Sequence, residues 1–266
     1  MIAQFFGLRR EPFERDIPVD ELVQFRNHQE LTARLTYAAE HRQIALVTGD
    51  TGTGKTTAVR AVMKRLDESE YRFLYIASAG LTSKTLYRVL LEQLQIQPKF
   101  RLVDNQLLTH RVLEEMYSKG QQAVIVVDEA HELDPATLAD IRYLTNFRAD
   151  SFSPISLWLV GQTELRERMK LRVLSALSQR IQIRYHMTGL TEAEVPEYIA
   201  QQLTAAGATR PIFSPDAMKW VAKMTQGNPR MVGVVCKSAM LDAALRKDEV
   251  VDTSHVERAW LEVTGG

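Results

Sequence analysis

The stretch Ile44–Thr56, which reads IALVTGDTGTGKT, decides how this chain folds. An apolar run of strand length comes first, and the part from Gly49 to Thr56 fits the pattern G-x-x-x-x-G-K-[ST]. Glycines let successive backbone N–H groups point into one concavity that binds phosphate oxygens, the lysine adds positive charge at the β- and γ-phosphates, and the last hydroxyl reaches Mg²⁺. The sequence therefore predicts a site for ATP and Mg²⁺, formed by Gly49, Asp50, Thr51, Gly52, Thr53, Gly54, Lys55, Thr56 and Thr57.

A second motif consists of two acids that directly follow a strongly apolar run. Val124–Val127 is followed by Asp128 and Glu129. The carboxyl ends of parallel strands are where ligands bind in open α/β sheets, so the acids are expected beside the phosphate-binding loop. We expect Asp128 to hold Mg²⁺ and Glu129 to orient the attacking water, since phosphoryl transfer depends on positioning and charge neutralisation.

The tetrapeptide Asp128-Glu129-Ala130-His131 also spells the box of a helicase superfamily. That interpretation requires two tandem domains of the RecA type, which 266 residues with one phosphate-binding loop do not provide. We therefore expect His131 to form a local hydrogen bond and not to act in catalysis.

Strands and helices alternate through the first two thirds of the chain. The predicted strands are Ile44–Thr48, Arg72–Ala77, Ala123–Val127, Ile155–Val160 and Arg180–Tyr185, and the helices among them include Leu81–Leu94, Asn105–Lys119 and Pro135–Phe147. Alternation of this kind predicts a parallel sheet covered by helices on both faces. The expected fold is an α/β P-loop NTPase, an αβα sandwich with a five-stranded parallel sheet.

The part of the chain after Gly189 has the pattern of helices alone. Capping boxes are predicted at Asn27 with Glu30 and at Thr191 with Glu194, and Ser214-Pro215 is typical of a helix start. Further helices are predicted near Met231–Leu245 and Ser254–Val263. These patterns predict an N-terminal segment with a helix at 1–42, an ATPase core at 43–188 and an all-helical lid at 189–266.

The composition is that of an ordinary globular protein, with 45% hydrophobic and 25% charged residues. The formal net charge is zero, so a global attraction to nucleic acid is not expected, although basic residues concentrate between Arg166 and Arg184. A solvated helix face is the simplest interpretation of that basic stretch. The single cysteine, Cys236, cannot form an intramolecular disulfide, and no signal peptide or long apolar run is present. We therefore expect a cytoplasmic protein without a membrane association.

Three more residues are candidates for the nucleotide site. Gln162 follows a predicted strand and is placed to hold the attacking water between the acids and the γ-phosphate. Arg180, with Arg172 as the alternative, is placed to reach a neighbouring subunit's γ-phosphate as an arginine finger. Arg230 opens a helix in the C-terminal part and is placed to fold back onto the nucleotide and report its state.

These residues, in this order, resemble an AAA+ ATPase, and more narrowly the ExeA/TniB/TnsC group. The resemblance implies that Gln162 is sensor 1, that Arg180 is the arginine finger and that Arg230 is sensor 2. It covers nearly the whole chain and is carried by Phe5-Phe6-Gly7-Leu8, Pro12-Phe13, Asp128-Glu129-Ala130-His131, Leu159–Leu165, Gln179-Arg180-Ile181 and Arg184-Tyr185-His186.

The functions of that group leave three alternatives. Some members, of the TnsC/MuB type, regulate DNA transposition by assembling on DNA with ATP and recruiting a transposase. Others are secretion-associated ATPases with a membrane span and a periplasmic region. Because the sequence ends at Gly266 with neither of these, we expect the first, active as a hexamer-like ring or a helical filament on duplex DNA. A nucleotide-gated signalling switch without a polymer is the third alternative.

The resemblance also implies where DNA is bound. In DNA-encircling rings of this kind, the pore is lined by the start of the helix after the second strand and by the loop that follows that helix. The corresponding stretches here are Thr82–Thr85 and Gln97–Arg101. We expect Lys84, Lys99 and Arg101 to contact phosphates and not base edges.

Overall fold

Five strands form one parallel sheet in the computed structural model, which describes residues 1–14, 25–77, 80–148 and 151–265. The strand order is β2-β3-β4-β1-β5, and every pair of neighbours is parallel. The predicted fold class is confirmed. The strands are β1 (Ile44–Thr48), β2 (Tyr71–Ala77), β3 (Gln122–Asp128), β4 (Ile155–Gly161) and β5 (Ile181–His186).

Burial along the strands follows from their place in the sheet. The central strands β1, β3 and β4 are buried at every residue, whereas β5 alternates between less and more exposed positions and β2 has only two buried residues. Central parallel strands are covered on both faces, so their sequences are continuous apolar runs. This explains why the sequence predicted the central strands most clearly.

Helices cover both faces of this sheet. The helices of this part are α2 (Arg26–Glu40), α3 (Lys55–Arg65), α4 (Ser83–Gln93), α5 (Leu102–Ser118), α6 (Pro135–Ile141), α7 (Thr163–Arg168) and α8 (Ser175–Ser178). Leu31, Leu35 and Val59 from α2 and α3 pack with Trp158 on one face. The core on the other face receives Tyr87 and other apolar residues from α4 to α8. The phosphate-binding loop therefore connects a buried strand to a buried helix, as the sequence predicted.

The described residues divide into two compact units. The described residues of the sheet unit are 28–51, 55–77, 80–148 and 151–187, and those of the helical unit are 1–14, 25–27, 52–54 and 188–265. This division departs from the predicted N-terminal segment at 1–42, because residues 1–14 and 25–27 belong with the helical unit and the rest of α2 with the sheet unit. Residues 15–24 of that predicted segment lie outside the described residues.

The helical unit has its own core. Its helices are α1 (Ile2–Phe6), α9 (Glu194–Ala205), α10 (Pro215–Thr225), α11 (Pro229–Arg246) and α12 (Thr253–Thr264). The first of these was not predicted, and its Ile2 and Phe6 are buried in the same core as Cys236. Burial raises the pKa of the Cys236 thiol, which keeps the sulfur protonated and unreactive.

Several helix boundaries differ from prediction by a few residues. α2 begins at Arg26, so Asn27 lies inside the helix and one residue past its start, and its side-chain amide donates to Thr188 Oγ1 at 2.8 Å. The cap position predicted at Asn27 is therefore displaced from the observed start of the helix. The helix predicted at Pro135–Phe147 ends at Ile141 and continues as a 3₁₀ helix over Arg142–Thr145.

The hydrogen bonds predicted at two other helix starts are present. Thr191 and Glu194 form the reciprocal hydrogen bonds of a capping box, at 2.8 and 3.3 Å, although α9 itself begins at Glu194, with Ala193 as its N-cap residue. Ser214 caps α10, with Pro215 at its first position.

Candidate functional site

The phosphate-binding loop requires glycine at positions where no side chain fits. A Cβ on Gly49 would lie 2.3 Å from the carbonyl oxygen of Met187. Gly52 has φ +86°, and a Cβ there would lie 2.7 Å from both Arg230 Cβ and Asn228 Oδ1. A side chain at Gly49 would therefore collide with backbone, and one at Gly52 would collide with two neighbouring side chains. The residues therefore fit a cradle built from backbone, as phosphate binding needs.

Lys55 is held against the loop by its ammonium group. The side chain is only 7% exposed, and Nζ donates to the carbonyl oxygens of Gly49 at 2.7 Å and of Asp50 at 2.9 Å. Asp50 in turn accepts a hydrogen bond from Thr163 Oγ1 at 2.7 Å, which links the loop to the start of α7. The positive charge is thus confined to the place where the sequence predicts phosphates to bind.

Asp128 and Thr56 meet at the end of β3. Thr56 Oγ1 donates to Asp128 Oδ2 at 3.0 Å, and the carboxylate also accepts the N–H of Glu129 at Oδ1, at 2.9 Å. Asp128 is only 5% exposed. Hard oxygen ligands on an otherwise open site suit Mg²⁺, which completes its shell with water and substrate phosphates. Among the described residues no cluster of three His, Cys, Asp or Glu offers another metal site.

Tyr75 on β2 is a third partner of Asp128 that the sequence did not suggest. Its hydroxyl donates a short hydrogen bond to Asp128 Oδ2, the oxygen that also accepts from Thr56. Burial, followed by the hydrogen bond and charge of Asp128, raises the pKa of Tyr75 above its usual range. The phenol is therefore a permanent donor at neutral pH.

Glu129 turns away from the strand through an unusual backbone conformation. Its φ of +52° lies in the left-handed region, which non-glycine residues rarely adopt. The side chain is 47% exposed, and Oε2 lies 3.4 Å from His131 Nδ1. About half of the Glu129 side chain is therefore accessible to water. Strained backbone of this kind clusters at functional positions.

Gln162 lies at the end of β4, next to the acids of β3. Its backbone N–H donates to His131 Nδ1 at 3.3 Å. The local hydrogen bond expected for His131 is therefore present. The register of the sheet places Thr48 opposite Gly161, so the ends of β1 and β4 lie side by side. The start of the loop, the two acids and Gln162 accordingly lie at the same end of the sheet, the carboxyl end of its strands.

The predicted arginine finger, Arg180, precedes edge strand β5. It is half-buried, and Nη1 donates to Thr145 Oγ1 at 3.3 Å. Its alternative, Arg172, is exposed in a 3₁₀ turn. Whether either arginine acts on a neighbouring subunit stays a prediction.

Arg230 belongs to the helical unit together with residues 52–54 of the loop. Within that unit its backbone N–H donates to the carbonyl of Gly52 at 3.3 Å, while its side chain is exposed. Asn228 caps α11 and accepts from the N–H groups of Arg230 and Met231. The sensor role of Arg230 stays a prediction.

The residues predicted to contact DNA lie together on the surface of the sheet unit. Lys84, Lys99 and Arg101 are all exposed. Lys84 Nζ lies 4.8 Å from the ring centroid of Phe100, which links the start of α4 to the loop before α5. Phe100 is 87% exposed, a feature the sequence did not single out. We call these four residues the basic cluster.

Comparisons with known proteins agree with this geometry. Residues 38–169 match the family model described as "AAA domain". The chain is 31% identical over its whole length to "General secretion pathway protein A" of Aeromonas hydrophila, and it spans 49% of that protein. Among solved structures, the DNA-bound ORC of Drosophila superposes with TM-score 0.76 at 19% identity, covering 98% of this chain and 66% of that one. Cdc6p from Pyrobaculum aerophilum gives TM-score 0.74 at 16% identity, covering 94% and 70%. At these identities, the two structures establish the likeness of fold.

Proposed function

We propose that this chain is a P-loop ATPase that uses ATP and Mg²⁺ to assemble on duplex DNA and regulate DNA transposition; the ATPase part is supported by the match of residues 38–169 to the family model described as "AAA domain". Hydrolysis would take place at the edge of the sheet where the loop, Asp128 and Glu129 meet. The observation that carries the DNA part of the proposal is the exposed basic cluster. The transposition part rests on the resemblance to regulators of the TnsC/MuB type, with a transposase as the partner.

In the proposed hydrolysis each residue has a separate task. Backbone N–H groups of the loop and the Lys55 ammonium bind the phosphates, while Thr56 and Asp128 hold Mg²⁺. Magnesium, when bound, neutralises charge on the phosphates. Glu129 orients and polarises the attacking water, and Gln162 holds that water from the side of β4. The role of Glu129 is supported by its place directly after the buried Asp128 and by the 47% exposure of its side chain.

Two substitutions test these tasks. Glu129→Gln should bind ATP and hydrolyse it at least about a hundredfold more slowly, because general-base catalysis contributes ~10²–10⁴. Lys55→Ala should fail to bind ATP. Nucleotide binding is measured by the fluorescence of a labelled ATP and turnover by phosphate release. Wild-type turnover in Glu129→Gln would remove Glu129 from the mechanism.

Assembly into a homo-oligomer is the second part of the proposal. Arg180 precedes β5, an edge strand of the described sheet. A guanidinium at a lateral edge is suited to reach the γ-phosphate held by a neighbouring copy. A ring or a helical filament would both satisfy this requirement, and Arg230 would report the nucleotide to the helical unit.

DNA binding is supported by the chemistry of the basic cluster. Thr82 caps α4, and Lys84 lies in the first turn of that helix. Helix N-termini and nearby ammonium or guanidinium groups bind phosphate oxygens. DNA binding is also suggested by two proteins of similar fold. One is the ORC of Drosophila bound to DNA, and another is the RuvB Holliday junction branch migration motor of Thermotoga maritima. Electron microscopy with duplex DNA and a slowly hydrolysed ATP analogue tests the proposal, and the absence of any nucleotide-dependent assembly on DNA would refute it.

A secretion-associated ATPase is the second candidate. It is favoured by the 31% identity, over all of this chain, to the general secretion pathway protein A of Aeromonas hydrophila. None of the described helices is long and apolar enough to cross a membrane. A transposase gene next to the gene for this protein would support the first candidate, and genes of a secretion system would support the second. The cytoplasmic location remains part of the proposal in either case.

A further inference from the structure

The imidazole nitrogen Nδ1 of His131 contacts both the residue that follows β3 and the residue that follows β4. His131 Nδ1 accepts the backbone N–H of Gln162 at 3.3 Å and lies 3.4 Å from Glu129 Oε2. A neutral imidazole nitrogen either carries a hydrogen and donates or has a lone pair and accepts. Nδ1 therefore serves Gln162 in one tautomer and Glu129 in the other.

Hydrogen bonds to the backbone of the turn that carries His131 fix the position of its ring. His131 lies in the 3₁₀ turn Ala130–Glu132, and its side chain is 14% exposed. The guanidinium of Arg168 donates short hydrogen bonds to the carbonyl oxygens of His131 and Leu133, one from each terminal nitrogen. This clamp gives one residue of the basic stretch a structural task, and it holds the turn against α7.

Gly161 allows the close approach of the ring to β4. A Cβ at this position would lie 3.2 Å from the backbone nitrogen of His131, 3.4 Å from its Nδ1 and 2.8 Å from Leu165 Cδ2. The last residue of β4 and the turn after β3 therefore pack together without a side chain between them.

We propose that His131 is a positioning residue that couples the Glu129 carboxylate to the backbone of Gln162. With the hydrogen on Nε2, the ring holds the Gln162 N–H. With the hydrogen on Nδ1, it donates to Glu129 and releases that N–H; water takes the proton from Nε2 and supplies one to Nδ1, so the protein gains no net proton. The orientation of the carboxylate that polarises water thus depends on the position of the residue that holds the same water. This coupling rests on the proposed roles of Glu129 and Gln162.

Substitutions at His131 separate this role from a merely structural one. His131→Ala should lower kcat about tenfold and leave the dissociation constant of the labelled ATP unchanged, because His131 contacts no part of the phosphate-binding loop in the proposed site. His131→Asn should keep the hydrogen bond to Gln162, since Asn Oδ1 is the same number of bonds from Cα as Nδ1 and accepts the same N–H, but it should restore only part of the rate, because an amide oxygen cannot donate to Glu129. His41→Ala, on an exposed ring stacked on Tyr37, is the matched control and should change neither quantity.

A double-mutant cycle tests the coupling itself. If His131 transmits the position of Gln162, then Gln162→Ala and His131→Ala should each lower kcat about tenfold, and the double variant should be no slower than either single one. If the fall in kcat of the double variant equals the product of the two single falls, the residues act independently and the proposal is wrong. An unchanged kcat in His131→Ala would overturn it as well.

Hydrogen exchange provides a readout that does not depend on turnover. The amide of Gln162 should lose protection in His131→Ala and keep it in His131→Asn, measured with ATP and Mg²⁺ in the Glu129→Gln background. Equal protection in both variants would contradict the coupling even if hydrolysis followed another mechanism. Wild-type turnover in Glu129→Gln would refute the proposed function instead, and the exchange result would then still decide the contact between His131 and Gln162.

Discussion

We expect the hydroxyl of Tyr75 to compete with Mg²⁺ for Asp128, so that its removal makes the metal easier to bind. In the structure the phenol and Thr56 Oγ1 both donate to Asp128 Oδ2, a nearly buried oxygen. A hydrogen bond to a charged group contributes about 1.5–3 kcal/mol. We take the lower end because Tyr75 is only partly buried. In Tyr75→Phe the Mg²⁺ concentration for half-maximal binding of ATP should therefore fall about tenfold, since ~1.4 kcal/mol corresponds to a factor of ten.

The assay is a Mg²⁺ titration of labelled ATP fluorescence in the Glu129→Gln background, where hydrolysis does not deplete the ligand. Tyr71→Phe, at the start of the same strand, is the matched control because that hydroxyl has no contact with Asp128 in the structure. A thermal unfolding curve confirms that both variants are folded. An unchanged or higher Mg²⁺ midpoint in Tyr75→Phe would show that the phenol does not compete with the metal and instead supports the carboxylate in the loaded site.

The remaining predictions concern DNA and the shared site. Replacing Lys84, Lys99 and Arg101 together by alanine should lower the slope of log K against log salt by about 2.7, at ~0.9 per phosphate contact. The ratio of the wild-type association constant for DNA to that of the triple variant should accordingly fall about 40-fold over a fourfold rise in salt, as measured by fluorescence anisotropy. An unchanged slope would show that these residues do not contact DNA phosphates. Arg180→Ala should bind ATP and hydrolyse it poorly, and a Lys55→Ala protein should partly restore turnover in mixtures because it supplies an intact arginine. No rescue in co-assembled mixtures would mean that Arg180 does not act on its neighbour.

The sequence was sufficient to predict the central strands of the sheet, because these strands are continuous apolar runs. Ala123–Val127 and Ile155–Val160 were each extended by the structure by only one or two residues. The phosphate-binding loop and the two acids were equally predictable, since glycines and acids directly after such strands are typical of nucleotide sites. The roles of these residues in catalysis stay predictions.

Contacts between distant parts of the chain could not be predicted in the same way. Tyr75 meets Asp128 only because β2 is the neighbour of β3, and a single sequence does not reveal strand order. Arg168 was one of several basic residues in a stretch, and nothing local indicates that it binds the carbonyls of His131 and Leu133. Asn27 has the local pattern of a helix cap, and nothing in that pattern indicates that its side-chain amide donates to Thr188, 161 residues away.

Strand β5 is an edge strand of the sheet, and every second residue along it is polar and exposed. Gln182, Arg184 and His186 are exposed, and the Arg184 guanidinium donates to Ser178. Charged, twisted edges discourage a strand of another molecule from pairing with them. Copies of this protein would therefore have to associate through side chains rather than by extending the sheet from one molecule to the next. Such contacts can be made and broken in each nucleotide cycle, whereas a shared sheet would tend towards irreversible aggregation.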